Sequence, residues 1–125
     1  MAGTIVADTI QDGAGNSTAM DNAIYGSAKA WVNFNGVSAT VRKSYNVSSV
    51  TLVSTGVYTV NFTNSFADTN YCAIGTTINV SSMSLSINGA YNSTPTLYST
   101  TQAQFVTSQN ITLYTCSLIN IVVFD

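Results

Sequence analysis

From Ala28 onward, apolar and polar residues alternate with a period of two, and that pattern limits the chain to β-structure. Only a β-strand turns successive side chains to opposite faces. In AKAWVNFNG (28–36), Ala30, Val32 and Phe34 share one face, while Lys29, Trp31 and Asn33 share the other. In GVYTVNFTN (56–64), Tyr58, Val60 and Phe62 alternate with Thr59, Asn61 and Thr63. The Asn35-Gly36 pair suits a tight turn whose two central residues take positive φ, predicting a hairpin with a partner strand over 39–45. Further strands are expected over 47–53, 70–78, 83–88, 97–106 and 111–116, with a second tight turn at Asn88-Gly89 and the only proline in the loop NSTPT (92–96). Helix formers such as Glu, Lys and Leu are scarce and β-branched residues abundant. Many short strands with frequent turn signals predict an all-β fold, an antiparallel β-sandwich over 28–125.

The last segment, SLINIVVFD (117–125), departs from this alternation, because Leu118, Ile119, Ile121, Val122, Val123 and Phe124 are apolar on both faces of any strand. Such a strand must be covered on both sides. In a two-layer fold a neighbouring subunit is the simplest cover, so Leu118, Ile119, Ile121 and Val123 are the expected oligomer interface. Composition points the same way: the chain is 46% hydrophobic but only 6% charged, against about 25% charged in ordinary soluble domains. Neutral hydroxyls and amides must face the water, and much apolar surface should meet other copies.

Residues 1–27 differ from the rest. They hold three of the five aspartates and the glycine-rich run QDGAGNST (11–18), and their apolar residues Ile5, Val6 and Ile10 follow neither the helix nor the strand period for long. This reads as an N-terminal attachment arm that needs a partner surface to order it. The opening MAGTIVADTI has neither the basic nor the apolar region of a secretory signal, so synthesis in a cytoplasm is expected. There Cys72 and Cys116 should remain thiols. No apolar run approaches the ~20 residues of a membrane span.

The residue types present restrict the chemistry. The absence of histidine excludes Ser-His-Asp and Cys-His catalysis. Two distant cysteines and few carboxylates cannot build a zinc cage, so no metal and no cofactor is expected. Three cations cannot neutralise a nucleic-acid backbone. DTIQDGAGNST (8–18) lacks the ligand spacing of a calcium loop. Asp68, in NSFADTN, reads as a turn residue, not as half of a catalytic carboxylate pair. No catalytic residue is therefore assigned. Sugar binding is the chemistry left open: Tyr91, Asn92 and Tyr98, in the loop GAYNSTPTLY (89–98), combine aromatic faces with an amide. The competing reading is that such tyrosines simply cap the core.

The run ADTIQDGAGNSTAMDNAIYGSAKAWVNFNG (7–36), with VRKSYNVSSV (41–50) and TGVYTVNFTNSFADTNYCAIG (55–75), resembles a module of bacteriophage tail-fibre and related virion structural proteins, common in cyanophages. It covers about the first two-thirds of the chain. The resemblance implies a homotrimeric all-β appendage, held to the virion by its N-terminal arm and presenting its other end to the host. The fold expected is jelly-roll-like, and the sugar-binding reading of the residues makes a host-surface glycan the candidate partner there. The resemblance also implies host adsorption by a tail fibre through binding and not bond cleavage, alongside the residue-based expectations of no nucleic acid and no membrane insertion. A capsid decoration or head-fibre protein is the first alternative, and a depolymerase with an inter-subunit site the second.

Overall fold

The computed structural model describes residues 3–78, 84–87, 98–109 and 112–125. Among them the chain is mostly β-strand, in antiparallel sheets, with one short helix. In chain order the elements are β1 (Thr9–Gln11), β2 (Ser17–Ala19), α1 (Met20–Gly26), β3 (Ala30–Asn35), β4 (Thr40–Tyr45), β5 (Val47–Ser54) and β6 (Val57–Phe62). They continue with β7 (Cys72–Ile78), β8 (Ser84–Ile87), β9 (Gln102–Gln109), β10 (Thr112–Leu113) and β11 (Leu118–Phe124). One sheet has the spatial order β4-β3-β11-β7; another runs β10-β9-β6-β5, with β8 also paired to β9; β1 and β2 form a separate hairpin.

The alternation seen in the sequence is the alternation of burial. Ala30, Val32 and Phe34 of β3 and Ile119, Ile121 and Val123 of β11 share one core with Tyr58, Val60 and Phe62 of β6 and Ala103 and Phe105 of β9. Phe34 and Tyr58 meet edge to face across the two sheets, with ring centroids 5.3 Å apart. Each fully buried large side chain contributes about 1.5–3 kcal/mol, so these inner faces dominate the stability.

A single residue, Asn46, carries the chain from β4 in one sheet to β5 in the other. It holds φ at 52°, in the left-handed region where asparagine is better tolerated than most residues. Its Nδ2 donates to the carbonyls of Lys29 (3.1 Å) and Asn64 (3.3 Å). Its Oδ1 accepts from the Asn64 backbone N–H (2.8 Å) and the Asn64 Nδ2 (3.1 Å). The corner therefore ties the start of β3 to the exit of β6.

Several local expectations differ from what forms. Asn35-Gly36 is not a two-residue hairpin. Asn35 ends β3, its Oδ1 accepting from the Val37 N–H at 2.9 Å, and the turn spans 36–39 with Ala39 at φ 55°. Gly36 is required by close approach instead: a Cβ there would lie 2.5 Å from the Cys116 carbonyl oxygen and 2.6 Å from the Tyr58 hydroxyl. A bulge in β4 sets Arg42 outside the pairing register; its guanidinium donates to the carbonyls of Phe34 (3.1 Å) and Ser117 (2.8 Å). The strand expected over 97–106 begins only at Gln102, because residues 98–101 make a turn held by the Ser99 side chain. The Asn88-Gly89 turn lies outside the described residues.

Residues 3–27 also hold more order than their sequence suggests. Asp12 organises the β1–β2 turn, its carboxylate accepting from the Ala14 and Asn16 N–H groups and from the Asn16 side chain, each at 2.9 Å. These bonds, the Asn16 side chain first, lower its pKa. α1 follows directly, and the Met20 N–H reaches back to the Asp8 carbonyl at 2.8 Å. Lys29 donates to the Ile24 carbonyl at the helix end, a favourable place for a cation.

Candidate functional site

The outer face of the β4-β3-β11-β7 sheet is set by strand register. Val122 stands beside Trp31 on one side and Ile74 on the other, and Trp31 stands beside Tyr45. One step along, Asn120 pairs with Asn33 and Thr76, and Asn33 with Lys43. Leu118 pairs with Ile78, and Phe124 with Cys72. Apolar rows thus flank one amide row. Ile74 is 57% exposed, Ile78 60% and Tyr45 58%, values that leave the apolar rows open to solvent. A shallow hollow of about 110 Å³ opens among Ile74, Gly75, Thr76, Asn120 and Val122.

The amide row is bonded along the sheet. Asn33 Nδ2 donates to Asn120 Oδ1 (2.5 Å), and Asn120 Nδ2 donates to Thr76 Oγ1 (3.2 Å). Polar groups paired with each other in this way can be covered without the cost of stranding an unbonded amide.

This arrangement corrects the expected interface. Ile119, Ile121 and Val123 are 0–1% exposed and are consumed by the chain's own core, so they have no surface left for a neighbour. Only Leu118 of the four lies on the outer face, half-buried. Both sides of β11 are apolar, but the side that remains available is Leu118, Val122 and Phe124. Trp31, Tyr45, Ile74 and Ile78 complete it. In β7 the even spacing of Ile74 and Ile78 puts them on one face, yet that face becomes a surface only once β7 and β3 flank β11.

The second apolar surface is the N-terminal hairpin and helix. Ile5 is 85% exposed and Val6 94%; Ile10, Ile24 and Tyr25 are exposed as well. A cleft of about 460 Å³ lies among Ile5, Val6, Ala7, Asp8, Ala19, Met20 and Ile24. α1 rests on β1 and β2, and this small unit contributes nothing to the buried core. The structure thus brings Ile5, Ile10 and Ile24 around one hollow, although Ile24 of α1 was not among the residues singled out in the sequence.

Tyr98 is not placed as a recognition residue. Its ring stacks on Tyr71 with centroids 4.4 Å apart, and its hydroxyl donates to the Tyr71 carbonyl at 2.6 Å. Tyr71 in turn stacks on Phe66 and donates to the Ser99 carbonyl at 2.9 Å. Burial is the main cause raising the pKa of both phenols; the neighbouring Tyr98 adds to it at Tyr71, and Cys72 at Tyr98. Tyr98 therefore closes one end of the core, with ring and hydroxyl both used within the chain. Tyr91 and Asn92 lie outside the described residues.

At the other end, the Tyr58 hydroxyl is sealed from water beside Gly36 with no hydrogen bond of good geometry. Burial raises its pKa, partly offset by the Thr107 and Cys116 groups near it. Neither Cys72, which is exposed, nor Cys116, which is buried, is in a disulfide. Among the described residues no three His, Cys, Asp or Glu side chains gather at one point, and no helix is long and apolar enough to cross a membrane. Comparison with protein-family models, with curated proteins and with solved structures gave no match.

Proposed function

We propose that the chain is a virion structural protein, a component of a short bacteriophage tail fibre that acts in host attachment by binding. In this reading the two sheets are a jelly-roll-like β-sandwich, the protein is a homotrimer, and residues 1–27 are the arm that fixes it to another virion protein. The observation that carries the proposal is the N-terminal unit: Ile5 and Val6 lie almost fully in solvent on an element that has no core of its own. A segment of that kind gains stability only by docking, since its own burial cannot offset the entropy of ordering it. The sequence resemblance supplies the setting, and a scaffold only 6% charged and rich in hydroxyls and amides suits adhesion better than catalysis. The host-surface glycan belongs to this proposal, with Tyr91 and Asn92, outside the described residues, as its candidate contacts.

Locating the subunit on particles by immunogold labelling or cryo-microscopy tests the assignment. Label at the tail is the expected result; label on the capsid would replace it with the decoration-protein reading. Full-length chain carrying Ile5→Asp and Val6→Asp should fold normally and fail to enter particles. Normal incorporation of that variant would refute the arm.

A further inference from the structure

We infer that copies of this chain meet through the outer face of the β4-β3-β11-β7 sheet, with the Val122 row and the Asn120 row of each copy turned toward its neighbours. The inference rests on the homo-oligomer reading above and adds to it the surface that makes the contact.

Area is the first argument. Aromatic side chains offer about 150–250 Å² each and aliphatic ones less, so with Ile74, Ile78 and Tyr45 more than half exposed and Trp31, Leu118, Val122 and Phe124 half-buried, the open apolar part of this face is on the order of 500 Å². The largest apolar patch on a typical monomer is ~300–600 Å² and is often functional. A standard interface takes ~800 Å² from each partner. The apolar part of the face is at the upper end of the monomer range, and the amide row lying between its apolar rows brings the whole face toward the size of one side of a contact.

The second argument is polarity. A surface meant for water would place unpaired polar groups between the apolar rows. Here the polar groups bond to each other along the sheet, Asn33 to Asn120 and Asn120 to Thr76. Lys43, beside Asn33 on the edge strand β4, is the charged residue on the face and can extend past a rim. A partner rich in charge would find Lys43 alone to pair with on this face. A second copy would find a neutral face like its own.

Geometry gives the third. The rows cross the sheet at right angles to the strands, so any rotation axis parallel to the strands brings each row level with the same row of the next copy. Trp31, Val122 and Ile74 then meet their equivalents, and amide row meets amide row. Packing of this kind matches each row with its like without a register shift.

Sedimentation velocity on full-length protein at micromolar concentration, with native mass spectrometry, tests this. Val122→Asp sets a carboxylate in the central apolar row, outside the core, and Ile74→Lys does the same from a more exposed position. Oligomeric wild type with single-chain mass for both variants, and circular dichroism unchanged, is the expected result. Cys72 supplies an independent readout: native thiol labelling should be at least ~10-fold slower in the wild type than in Val122→Asp, because Cys72 stands beside Phe124 on this face. Oligomeric variants with unaltered Cys72 labelling would overturn the face while leaving the homo-oligomer intact. Loss of the oligomer in the Ile5→Asp, Val6→Asp protein, with Val122→Asp still assembled, would move the contact to the N-terminal unit. A monomeric wild type would overturn the homo-oligomer itself.

Discussion

Replacing Asn46 with alanine should cost about 3 kcal/mol, and the cost can be divided by a second substitution. An alanine held in the left-handed region pays about 1 kcal/mol that asparagine largely avoids. The remainder comes from four side-chain hydrogen bonds, to the Lys29 carbonyl and to three groups of Asn64. A buried bond is worth about 0.5–1.5 kcal/mol net, but most of these are exposed, so together they contribute about 2 kcal/mol. Asn46→Gly relaxes φ while losing the same bonds, and should therefore lose only that ~2 kcal/mol. Equilibrium urea unfolding followed by Trp31 fluorescence reads both values, since Trp31 lies on β3 beside Tyr45. Against a total stability of roughly 5–15 kcal/mol, a 3 kcal/mol loss is a large shift in midpoint. An alanine variant within 0.5 kcal/mol of wild type, or a glycine variant less stable than the alanine one, would refute the account of this corner.

Gly56→Ala should be more damaging, by more than about 3 kcal/mol on the same assay, because its φ is 71° and a Cβ would lie 2.6–2.8 Å from backbone atoms of Thr107 and Tyr114 that cannot yield separately. Ala39→Gly should act in the opposite sense and stabilise by up to about 1 kcal/mol, by relieving φ 55° in the 36–39 turn; a loss of stability would show that its methyl packs usefully. Tyr58, Tyr71, Tyr98 and Cys116 all have pKa values raised by burial. The folded chain therefore keeps protons that the unfolded chain releases above about pH 9–10. For these groups stability is constant below that range and falls as pH rises through it. Unfolding midpoints measured from pH 7 to 11 check this, and a stability that rises across the upper half would contradict it. Cys116 should resist thiol reagents until the chain unfolds, whatever the assembly state; labelling it in native protein would show that the core opens there.

The parts of this fold legible in the sequence are those that depend on one strand at a time. The inward faces of β3 and β6 were readable because a buried face needs only its own alternation, and Ala30, Val32, Phe34, Tyr58, Val60 and Phe62 supply it without interruption. The outer face was not readable, because it is assembled from β7, β11, β3 and β4, which are far apart in the chain and join only by register. The doubly apolar β11 announced that both its sides would be covered, but not which side would be the core. That is why Ile119, Ile121 and Val123 were expected at an interface and Val122 was not. α1 escaped notice for a different reason: with only seven residues, it repeats its Met20–Ile24 spacing once, too little for a helical period to stand out. Tyr98 looked like a recognition residue because aromatic rings in a polar loop suit both roles, and only its stacking on Tyr71 separates them.

The scarcity of charge takes a more specific meaning from these placements. Arg42 spends its guanidinium on two backbone carbonyls, and Lys29 spends its ammonium on the end of α1. Lys43 is left as the cation that the main sheet turns outward. Beside it on the outer face stand the amides Asn33 and Asn120 and the Thr76 hydroxyl, which bond sideways to each other. A carboxylate or ammonium in place of Asn120 would demand solvation of several kcal/mol and could not be covered unless paired. Asn120→Asp therefore separates a face meant for solvent from one meant for contact. On an open face the charge stays hydrated, and the substitution should change stability by less than about 0.5 kcal/mol. On a covered face it should be silent at concentrations where the chain is dispersed, and should weaken assembly at higher concentration, more so at pH 7 than at pH 4, where the carboxyl begins to take up its proton. A concentration-independent loss would mean that the amide row serves the fold of one chain alone.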